Sequence, residues 1–343
     1  MIKIKLLFFI LVLCFLGCKE SIEKKPFLLE SIHLNRIAGE DSVVKPSVEE
    51  TIIIPKDVPI RNYFKWMDSV VAVHNQNHTY LIDEHILVQN NSWIMDTLAH
   101  TDYYYRMEKG IFDEDSQALI ALHKGQILAV PDSLQTEKIK ERLTNTYIDV
   151  NIPEFRLRII ENGKEIYRFP IRVGQNGKRY LAMANREVDL RTQPGVGTII
   201  RVNKNPVFIN PKDNHKYYNT RRDDGKVTKL PAIPWLEPAI NGYSLGQLIH
   251  PTTNLETLEK AYSNGCIGLR ESDAWVVYYY GRVGTKVVIR YDLTRINEEG
   301  TLQEFKNIYP GFENLSMQKE AIQKALNAID GIPIPVCDCR LIE

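Results

Sequence analysis

The middle of the chain shows the clearest alternation of apolar and polar residues. It runs through residues 147–153, 155–160 and 166–174, and Asn162-Gly163 lies between the last two segments. A period of two is typical of β-strands, and an Asn-Gly pair favours the tight turn of a β-hairpin. A further apolar stretch at residues 283–289 predicts another strand. The pattern therefore predicts a mostly β unit in this part of the chain.

Helices are predicted before, within and after this unit. Five segments have the corresponding pattern, namely residues 63–74, 133–143, 255–261, 272–280 and 316–329. The third is short and polar, and the last ends before Pro333 and Pro335, which cannot continue a helix. We therefore expect an α+β fold, with a mostly β domain, a smaller mixed α/β region before it and a helical C-terminal tail.

The first residues have the pattern of an export signal. Lys3 and Lys5 precede an apolar run at residues 6–16, which is too short to span a bilayer, and Gly17-Cys18 follows it. A glycine and a cysteine directly after such a run resemble a bacterial lipobox, with Phe15 where leucine is usual. The resemblance implies cleavage before Cys18 and its lipidation, which would anchor the protein to the inner or outer membrane, facing the periplasm. Ordinary signal cleavage, which leaves Cys18 free, is the alternative.

Length and composition suggest how the rest of the chain is divided. A chain of 343 residues is long enough for about two folded units. The predicted segments are a lipoprotein signal peptide at 1–17, a polar tether at 18–60, an accessory region at 61–145, the β-rich domain at 146–292 and the helical tail at 293–343. Residues 124–131 weakly resemble the end of a LysM glycan-binding module. The alternative is a supporting domain that packs on the β-rich one.

Charge and cysteine content exclude several classes of function. The chain has 43 basic and 43 acidic side chains, so nucleic acid is not an expected partner. Cys337 and Cys339 are too close for an unstrained disulfide and lack the further ligands of a zinc site, although a local or intermolecular disulfide stays open. Cys14 and Cys18 belong to the targeting segment. Three cysteines, Cys266, Cys337 and Cys339, are left for chemistry.

Cys266 lies in a small polar turn, and His250 is sixteen positions upstream. A free thiol has a pKa near ~8.5, so a thiol nucleophile needs a base or a positive dipole beside it. The imidazole of His250 titrates in a suitable range. The pair is a candidate nucleophile and base. A buried core cysteine and a loop histidine are the alternative, and spacing alone does not decide between them.

These residues resemble the active-site motif of the YkuD-type L,D-transpeptidases, in which a histidine precedes Ser-His-Gly-Cys-Ile/Val-Arg-Leu/Met. Two positions depart from that motif, since Asn264 stands where the family has a second histidine and Gly268 where it has an arginine. The resemblance extends over residues 147–292, from the predicted hairpin through a Pro-x-Gly segment at 194–197 to the closing strand. The matching positions are Ser263, Gly265, Cys266, Ile267, Leu269 and His250.

The resemblance implies roles in catalysis. Cys266 would be the nucleophile and His250 the general base. The carbonyl of Pro251 would orient the imidazole, because proline lacks only the backbone donor. The backbone N–H groups of Asn264, Gly265 and Cys266 would form an oxyanion hole.

Three further residues are candidates for substrate binding, namely Ser263, Arg270 and Tyr243. Arg270 lies two positions beyond the arginine of the family and could hold a substrate carboxylate. A solvated surface position for Arg270 and aromatic core packing for Tyr243 are the alternatives.

The family also implies a reaction that requires no metal and no organic cofactor. The thiolate would attack the bond between the L-centre of diaminopimelate and the terminal D-alanine of a peptidoglycan stem. The acyl group would then pass to an amine of a neighbouring stem, giving a 3→3 cross-link, and carbapenems would acylate the same cysteine. Water as the acceptor would make the protein an L,D-carboxypeptidase, and a lipoprotein amine would make it an anchoring enzyme. A catalytically degenerate peptidoglycan-binding lipoprotein is the alternative from another class.

Overall fold

A computed structural model describes residues 50–297 and 299–314. The N-terminal region, defined here as residues 50–145, is mixed α/β. In it, β1 pairs antiparallel with β4, and β2 with β3. Its elements are β1 (Glu50–Ile53), β2 (Val58–Pro59), α1 (Ile60–Asn77), α2 (Glu84–Asn90), α3 (Trp93–Ala99), α4 (Tyr103–Glu108), β3 (Ile120–Leu122), β4 (Ile127–Val130) and α5 (Ser133–Thr144).

Helices α1 and α5 confirm the predictions at residues 63–74 and 133–143. Helix α5 begins with a capping box, in which the Asp132 side chain accepts from the Gln135 N–H and the Gln135 side chain accepts from the Asp132 N–H. The helix then buries Ile139 and Leu143. A local cap and an apolar stripe thus agree on the same helix.

The predicted tether at residues 18–60 is wrong at its C-terminal end. Strand β1 pairs with β4 from Glu50 opposite Val130 onward, and Ile54, Val58 and Ile60 are buried in the core. These apolar residues lie between polar and proline residues, so the composition of the segment did not indicate that they are buried. Residues 50–60 therefore belong to the folded N-terminal region.

The β-rich region follows at residues 146–292. Its main sheet has the strand order β18-β16-β14-β11-β19-β5-β6-β7, and β15 pairs with β14. The elements are β5 (Thr146–Asn151), β6 (Arg156–Glu161), β7 (Lys164–Pro170), β8 (Val173–Gly174), β9 (Lys178–Leu181), β10 (Arg186–Asp189), β11 (Gly195–Asn203), β12 (Asn219–Arg221), β13 (Val227–Lys229), β14 (Trp235–Ile240), β15 (Tyr243–Ser244), β16 (Ile249–Pro251), β17 (Ala261–Ser263), β18 (Ile267–Leu269), α6 (Glu271–Tyr280) and β19 (Lys286–Arg290). The described residues thus confirm the α+β, mostly β, fold class.

The predicted hairpin is formed by β6 and β7, with Glu161 opposite Lys164. Asn162 and Gly163 between them have φ angles of 50° and 74°. Two consecutive positive φ angles are what a two-residue type I′ turn requires, and asparagine and glycine adopt them at low cost. The predicted strand at residues 283–289 is also confirmed, as β19.

The short helix expected at residues 255–261 is wrong. Only one 3-10 turn forms, at Leu255–Thr257, and β17 begins at Ala261. The backbone after the turn bonds to another segment, because the Glu259 N–H donates to the Ile171 carbonyl and the Lys260 carbonyl accepts from the Val173 N–H. Pairing with a distant segment has replaced the helical hydrogen bonds.

Helix α6 confirms the helical stretch predicted at residues 272–280 and joins the two regions. Its side chains are buried on nearly every face, including Trp275, Tyr278 and Tyr279. The N-terminal region covers one side of it: the Tyr63 and Tyr279 hydroxyl oxygens are 2.5 Å apart, and the rings of Phe64 and Trp275 have centroids 6.0 Å apart. One hydrophobic core therefore extends through both regions.

The first part of the predicted helical tail is not helical. Strands β20 (Thr294–Ile296) and β21 (Leu302–Glu304) form a hairpin, and Tyr309 is buried, with its ring stacked on that of Tyr291 at 5.6 Å. Polar residues in the hairpin gave no alternation strong enough to predict it. The signal segment, Cys18, the helix at residues 316–329, Cys337 and Cys339 lie outside the described residues.

Among the described residues, the helices are all too short or too polar to cross a lipid bilayer.

Candidate active site

The strand register brings Cys266 and His250 to one cleft. Strands β16 and β18 are parallel neighbours, with Ile249 opposite Ile267 and His250 opposite Gly268. Side chains alternate along a strand, so Cys266, two residues before Gly268, lies on the same side as His250. Both side chains line a cleft of about 1160 Å³. The structure thus places together the two residues that the sequence selected.

The turn before β18 is held by its own side chains. The Ser263 hydroxyl donates to the Cys266 carbonyl at 2.6 Å and accepts from the Gly265 N–H at 3.2 Å. Gly265 has a φ of 112°, and a Cβ at this position would lie 2.8 Å from Nε2 of Gln247. Only glycine fits both the backbone angle and the space.

These hydrogen bonds change the predicted oxyanion hole. Because the Gly265 N–H already donates to Ser263, it is not available as it stands. Among the described residues, the N–H groups of Asn264 and Cys266 have no acceptor. The expected donor set is therefore reduced to Asn264 and Cys266. Ser263, expected to bind substrate, lines the cleft while its hydroxyl holds the turn, and its part in substrate binding stays a prediction.

His250 is fixed in one tautomer. Its Nδ1 lies 2.8 Å from the carbonyl oxygen of Pro251, and the Trp235 ring packs beside the imidazole at 5.3 Å. A carbonyl oxygen only accepts, so Nδ1 carries the proton and Nε2 keeps its lone pair. This is the contact anticipated for Pro251, and its role in catalysis stays a prediction.

Burial shapes the protonation of both groups. Burial, together with the nearby positive charge of Arg172, lowers the pKa of His250 to about 4. Burial raises the pKa of the Cys266 thiol, and the Leu248 N–H, which donates to Sγ at 3.4 Å, and the charge of Arg172 oppose that rise. At neutral pH the site therefore holds a neutral thiol and a neutral imidazole. The hydrogen bonds within residues 50–297 and 299–314 do not join them directly.

Arg172 is a cleft residue that the sequence did not indicate. Its backbone pairs with Gly268 through two hydrogen bonds of 2.9 and 3.0 Å, and its Nη1 donates to the Thr257 hydroxyl at 3.1 Å. A Cβ on Gly268 would lie 2.6 Å from Nε of Arg172. No local pattern marks this arginine, because the pairing of residue 172 with residue 268 exists only in the folded chain.

Arg270, expected to bind substrate, is not among the residues that line the cleft. It directly precedes α6, and its charge acts on the carboxyl groups of Glu108 and Asp273, opposing the rise in their pKa that burial causes. The end of β18 at Leu269 and the start of the helix direct residue 270 toward the N-terminal region.

Tyr243 does line the cleft, with 71% of its surface exposed. An exposed ring at the cleft wall is available to a ligand, whereas the alternative of core packing is excluded by this exposure. Its part in substrate binding stays a prediction.

A second set of contacts supports the turn from behind. The Thr192 hydroxyl donates to the Gly265 carbonyl and accepts from the Gly174 N–H, both at 2.9 Å. The hydroxyl of Tyr309 accepts from the Thr192 N–H at 3.3 Å and donates to the Gly174 carbonyl. Thr192 and Tyr309 were not anticipated, because neither lies near Cys266 in the sequence.

Within the described part of the chain, no group of three or more histidine, cysteine, aspartate or glutamate side chains is arranged to hold a metal ion.

Comparison with known proteins bears on the segment that contains this site. Residues 145–289 match the family model of the L,D-transpeptidase catalytic domain, YkuD. No curated protein matches the chain significantly.

Solved L,D-transpeptidases are similar at low identity. One from Mycobacterium smegmatis is 14% identical over 43% of this chain and 58% of that chain, with a TM-score of 0.30. A structure from Xylanimonas cellulosilytica is 10% identical over 72% of this chain and 100% of that one, with a TM-score of 0.32. The catalytic domain from E. faecium is 17% identical over 43% and 98%, with a TM-score of 0.28. The chain spans less than two thirds of the mycobacterial protein. Residues 145–289, which match the family model of the L,D-transpeptidase catalytic domain, contain both Cys266 and His250.

Proposed function

We propose that this protein is a peptidoglycan L,D-transpeptidase in which Cys266 is the nucleophile and His250 the general base. The observation that carries the proposal is that His250 of β16 and Cys266, the residue before the neighbouring strand β18, line a single cleft within the family-matched segment. The free Nε2 of His250 supplies a base, and the turn at residues 263–266 supplies backbone donors.

The first half-reaction forms a thioester. Nε2 of His250 takes the thiol proton as Sγ attacks the carbonyl carbon between the L-centre of diaminopimelate and the terminal D-alanine. The N–H groups of Asn264 and Cys266 stabilise the oxyanion. The imidazolium then protonates the departing amine, so D-alanine leaves and the acyl group stays on sulfur.

The pKa values favour proton transfer during the attack. A partly buried imidazole with a pKa of about 4 does not form a stable ion pair with a thiol of raised pKa. The thiol loses its proton as the bond to carbon forms, when charge moves onto the oxyanion. The imidazole stays neutral at neutral pH, so it is available as a base in nearly every molecule.

The acceptor decides the second half-reaction. An amine of a neighbouring stem gives the cross-linked product, since its nitrogen attacks the thioester, loses a proton to His250 and frees the thiol. Water in the same position gives L,D-carboxypeptidase activity. The cleft of about 1160 Å³ has room for more than one peptide chain, which favours an amine acceptor.

We also propose that the protein works at the cell envelope, held to a membrane by lipid on Cys18. This part of the proposal rests on the apolar run and the Gly17-Cys18 pair. Radiolabelled fatty acid should label the wild type and not a Cys18→Ala variant. Equal labelling of the two proteins would contradict lipid attachment at Cys18.

A second candidate is a peptidoglycan-binding protein that keeps the fold without turnover. It is favoured by the two departures from the motif, at Asn264 and Gly268. It is also favoured by the neutral resting state of Cys266 and His250. Such a protein would bind stem peptides equally well after Cys266→Ala.

Intact-protein mass spectrometry separates the candidates. The full-length chain in detergent is incubated with a disaccharide tetrapeptide or with a carbapenem, and Cys266→Ala is the control. The enzyme should form covalent adducts on the wild type alone and release D-alanine, and the product mass distinguishes cross-linking from hydrolysis. An unmodified, folded wild type with intact muropeptide would contradict the proposed activity and favour the binding protein.

A further inference from the structure

Gly268 and Arg172 form a matched pair across two backbone segments. They exchange both backbone hydrogen bonds, so their Cα atoms are direct neighbours and their side chains occupy the same side. Any side chain on residue 268 would meet the arginine, since a Cβ there would lie 2.6 Å from Nε and 2.7 Å from Cγ of Arg172. The absence of a side chain at residue 268 is what leaves space for Arg172.

This arrangement places the Arg172 side chain over Gly268, on the side of the sheet where Cys266 lies. Gly268 lies between Arg172 on one side and His250 on the other, and Cys266 precedes it by two residues on the same side. Arg172 lines the cleft together with Cys266 and His250. Its nearest bonded partner is the neutral Thr257 hydroxyl at 3.1 Å, and Nε is buried without a hydrogen bond.

Within residues 50–297 and 299–314, the charge of Arg172 has no carboxylate partner. Among the described residues, no aspartate or glutamate lies within ion-pair distance of it, although other arginines of the β-rich region are paired. Asp223 acts on it only at longer range, and Tyr217, Tyr262, Cys266 and His250 are the other titratable groups it faces. A largely buried cation without a partner is costly unless an anion forms nearby during function.

Other charged groups lie farther along the cleft. They have both signs, namely Arg179, Arg186, Lys212, Glu187 and Asp189. None of them contributes to the pKa shift of Cys266 or of His250, whereas Arg172 contributes to both.

We propose that Arg172 is a positioning residue that stabilises the Cys266 thiolate by its charge, from the position opposite Gly268. The inference rests on the proposed role of Cys266 as the nucleophile. The arginine that the family motif has at residue 268 is absent here, and the paired segment supplies a cation to the same place. The glycine at residue 268 and the arginine at residue 172 are then linked: the arginine is absent from one position of the pair and present at the other.

The test is the pH dependence of Cys266 alkylation by iodoacetamide, a neutral reagent, on the full-length protein. Loss of the charge in Arg172→Gln should raise the apparent pKa of alkylation by about one unit, which slows alkylation about tenfold at a fixed pH below that pKa. Arg172→Lys should stay close to the wild type. Arg179→Gln, which removes another cleft cation, should leave the profile unchanged.

Exchanging the two side chains provides a second test of the proposal. Gly268→Arg alone should lower the melting temperature because the two side chains collide, and adding Arg172→Gly should restore both the melting temperature and the apparent pKa. This double variant and Arg172→Lys test whether the charge stabilises the thiolate even if Arg172→Gln does not fold.

Two results would overturn the inference. One is an Arg172→Gln profile that superimposes on that of the wild type, and the other is a profile shared by Arg172→Lys and Arg172→Gln. Alkylation requires no stem peptide, so an enzyme found inactive on muropeptides would leave this test intact.

Discussion

At the scale of single residues, the chemistry of Cys266 depends on what is buried around it. Its motif identifies the thiol, but the protonation state follows from burial, from the Leu248 N–H at 3.4 Å and from Arg172. His250 is neutral because burial and the same arginine lower its pKa to about 4. Such effects need the folded environment, so the sequence could name the pair without giving its charge state.

The low pKa of His250 predicts an unusual pH profile for acylation. A base with a pKa of about 4 stays unprotonated far below the ordinary histidine value of about 6.5, so protonation should slow acylation only as the pH falls toward 4. The measurement is the second-order rate of carbapenem acylation from pH 4 to 8, with near-UV circular dichroism to show that the fold persists. An acid limb centred near pH 6.5 would refute the buried neutral base.

Gly265 predicts a residue at which a methyl group is not tolerated. Gly265→Ala should lower the free energy of unfolding by about 1–3 kcal/mol, because the φ of 112° is strained for alanine and the methyl group meets Gln247. Acylation should also slow, since the turn that carries Cys266 must shift. Chemical denaturation and the carbapenem assay measure the two effects.

Gly242 is the matched control for that substitution. It also has a positive φ, 83°, but a Cβ there would meet no atom within 4 Å. Gly242→Ala should therefore cost only the backbone strain and leave acylation near the wild-type rate. Equal losses in the two variants would mean that contact with Gln247 is unimportant.

At the scale of elements, the sequence alone predicts those helices and hairpins whose contacts join residues close together in the chain. Asn162-Gly163 predicts the β6–β7 hairpin, and the helical pattern at residues 133–143 predicts α5. Elements fixed by distant pairing were not predictable in this way. Residues 259–263 bond to residues 171–175 instead of forming a helix, and residues 50–53 form a strand because β4 is beside them.

The contacts that support the turn carrying Cys266 are also between residues that are distant in the sequence. Tyr309, beyond the family-matched segment, reaches Gly174 and Thr192, and Thr192 holds the Gly265 carbonyl. No motif spans these positions. The turn therefore depends on residues that are distant in the sequence.

Removal of one hydroxyl tests that dependence. Tyr309→Phe should lower the free energy of unfolding by about 1–3 kcal/mol, because the buried Gly174 carbonyl and Thr192 N–H lose a partner. It should also slow carbapenem acylation through movement of the turn. Tyr291→Phe removes a hydroxyl from the neighbouring stacked ring, which contacts Asn307 and the Tyr309 N–H, and should lower stability with less effect on acylation. Equal rates in the two variants would contradict a specific role for Tyr309.

At the scale of the whole molecule, the described residues share one hydrophobic core. The sequence suggested a boundary between residues 145 and 146, but Trp275 and Tyr279 of α6 are covered by the N-terminal region. An apolar helix such as α6 can be predicted from its composition, whereas the segment that covers it cannot. Glu271, which forms a buried ion pair with Arg222 at 2.5 Å, also accepts a hydrogen bond from the Tyr103 N–H of α4 at 3.2 Å, and this bond connects the two regions.

This shared core predicts that residues 146–292 do not fold alone. A chain that begins at residue 146 would expose Trp275, Tyr278 and Tyr279 to water, and the lost burial amounts to roughly 1.5–3 kcal/mol for each large apolar side chain. It should lack near-UV circular dichroism and a cooperative melt. In the full-length protein, the near-UV and far-UV circular dichroism should both change in a single thermal transition. Tyr63→Phe, which removes the hydrogen bond to Tyr279, should lower the midpoint of this transition without dividing it into two. A truncated chain that melts like the full-length protein would show that the family-matched segment is an independent domain.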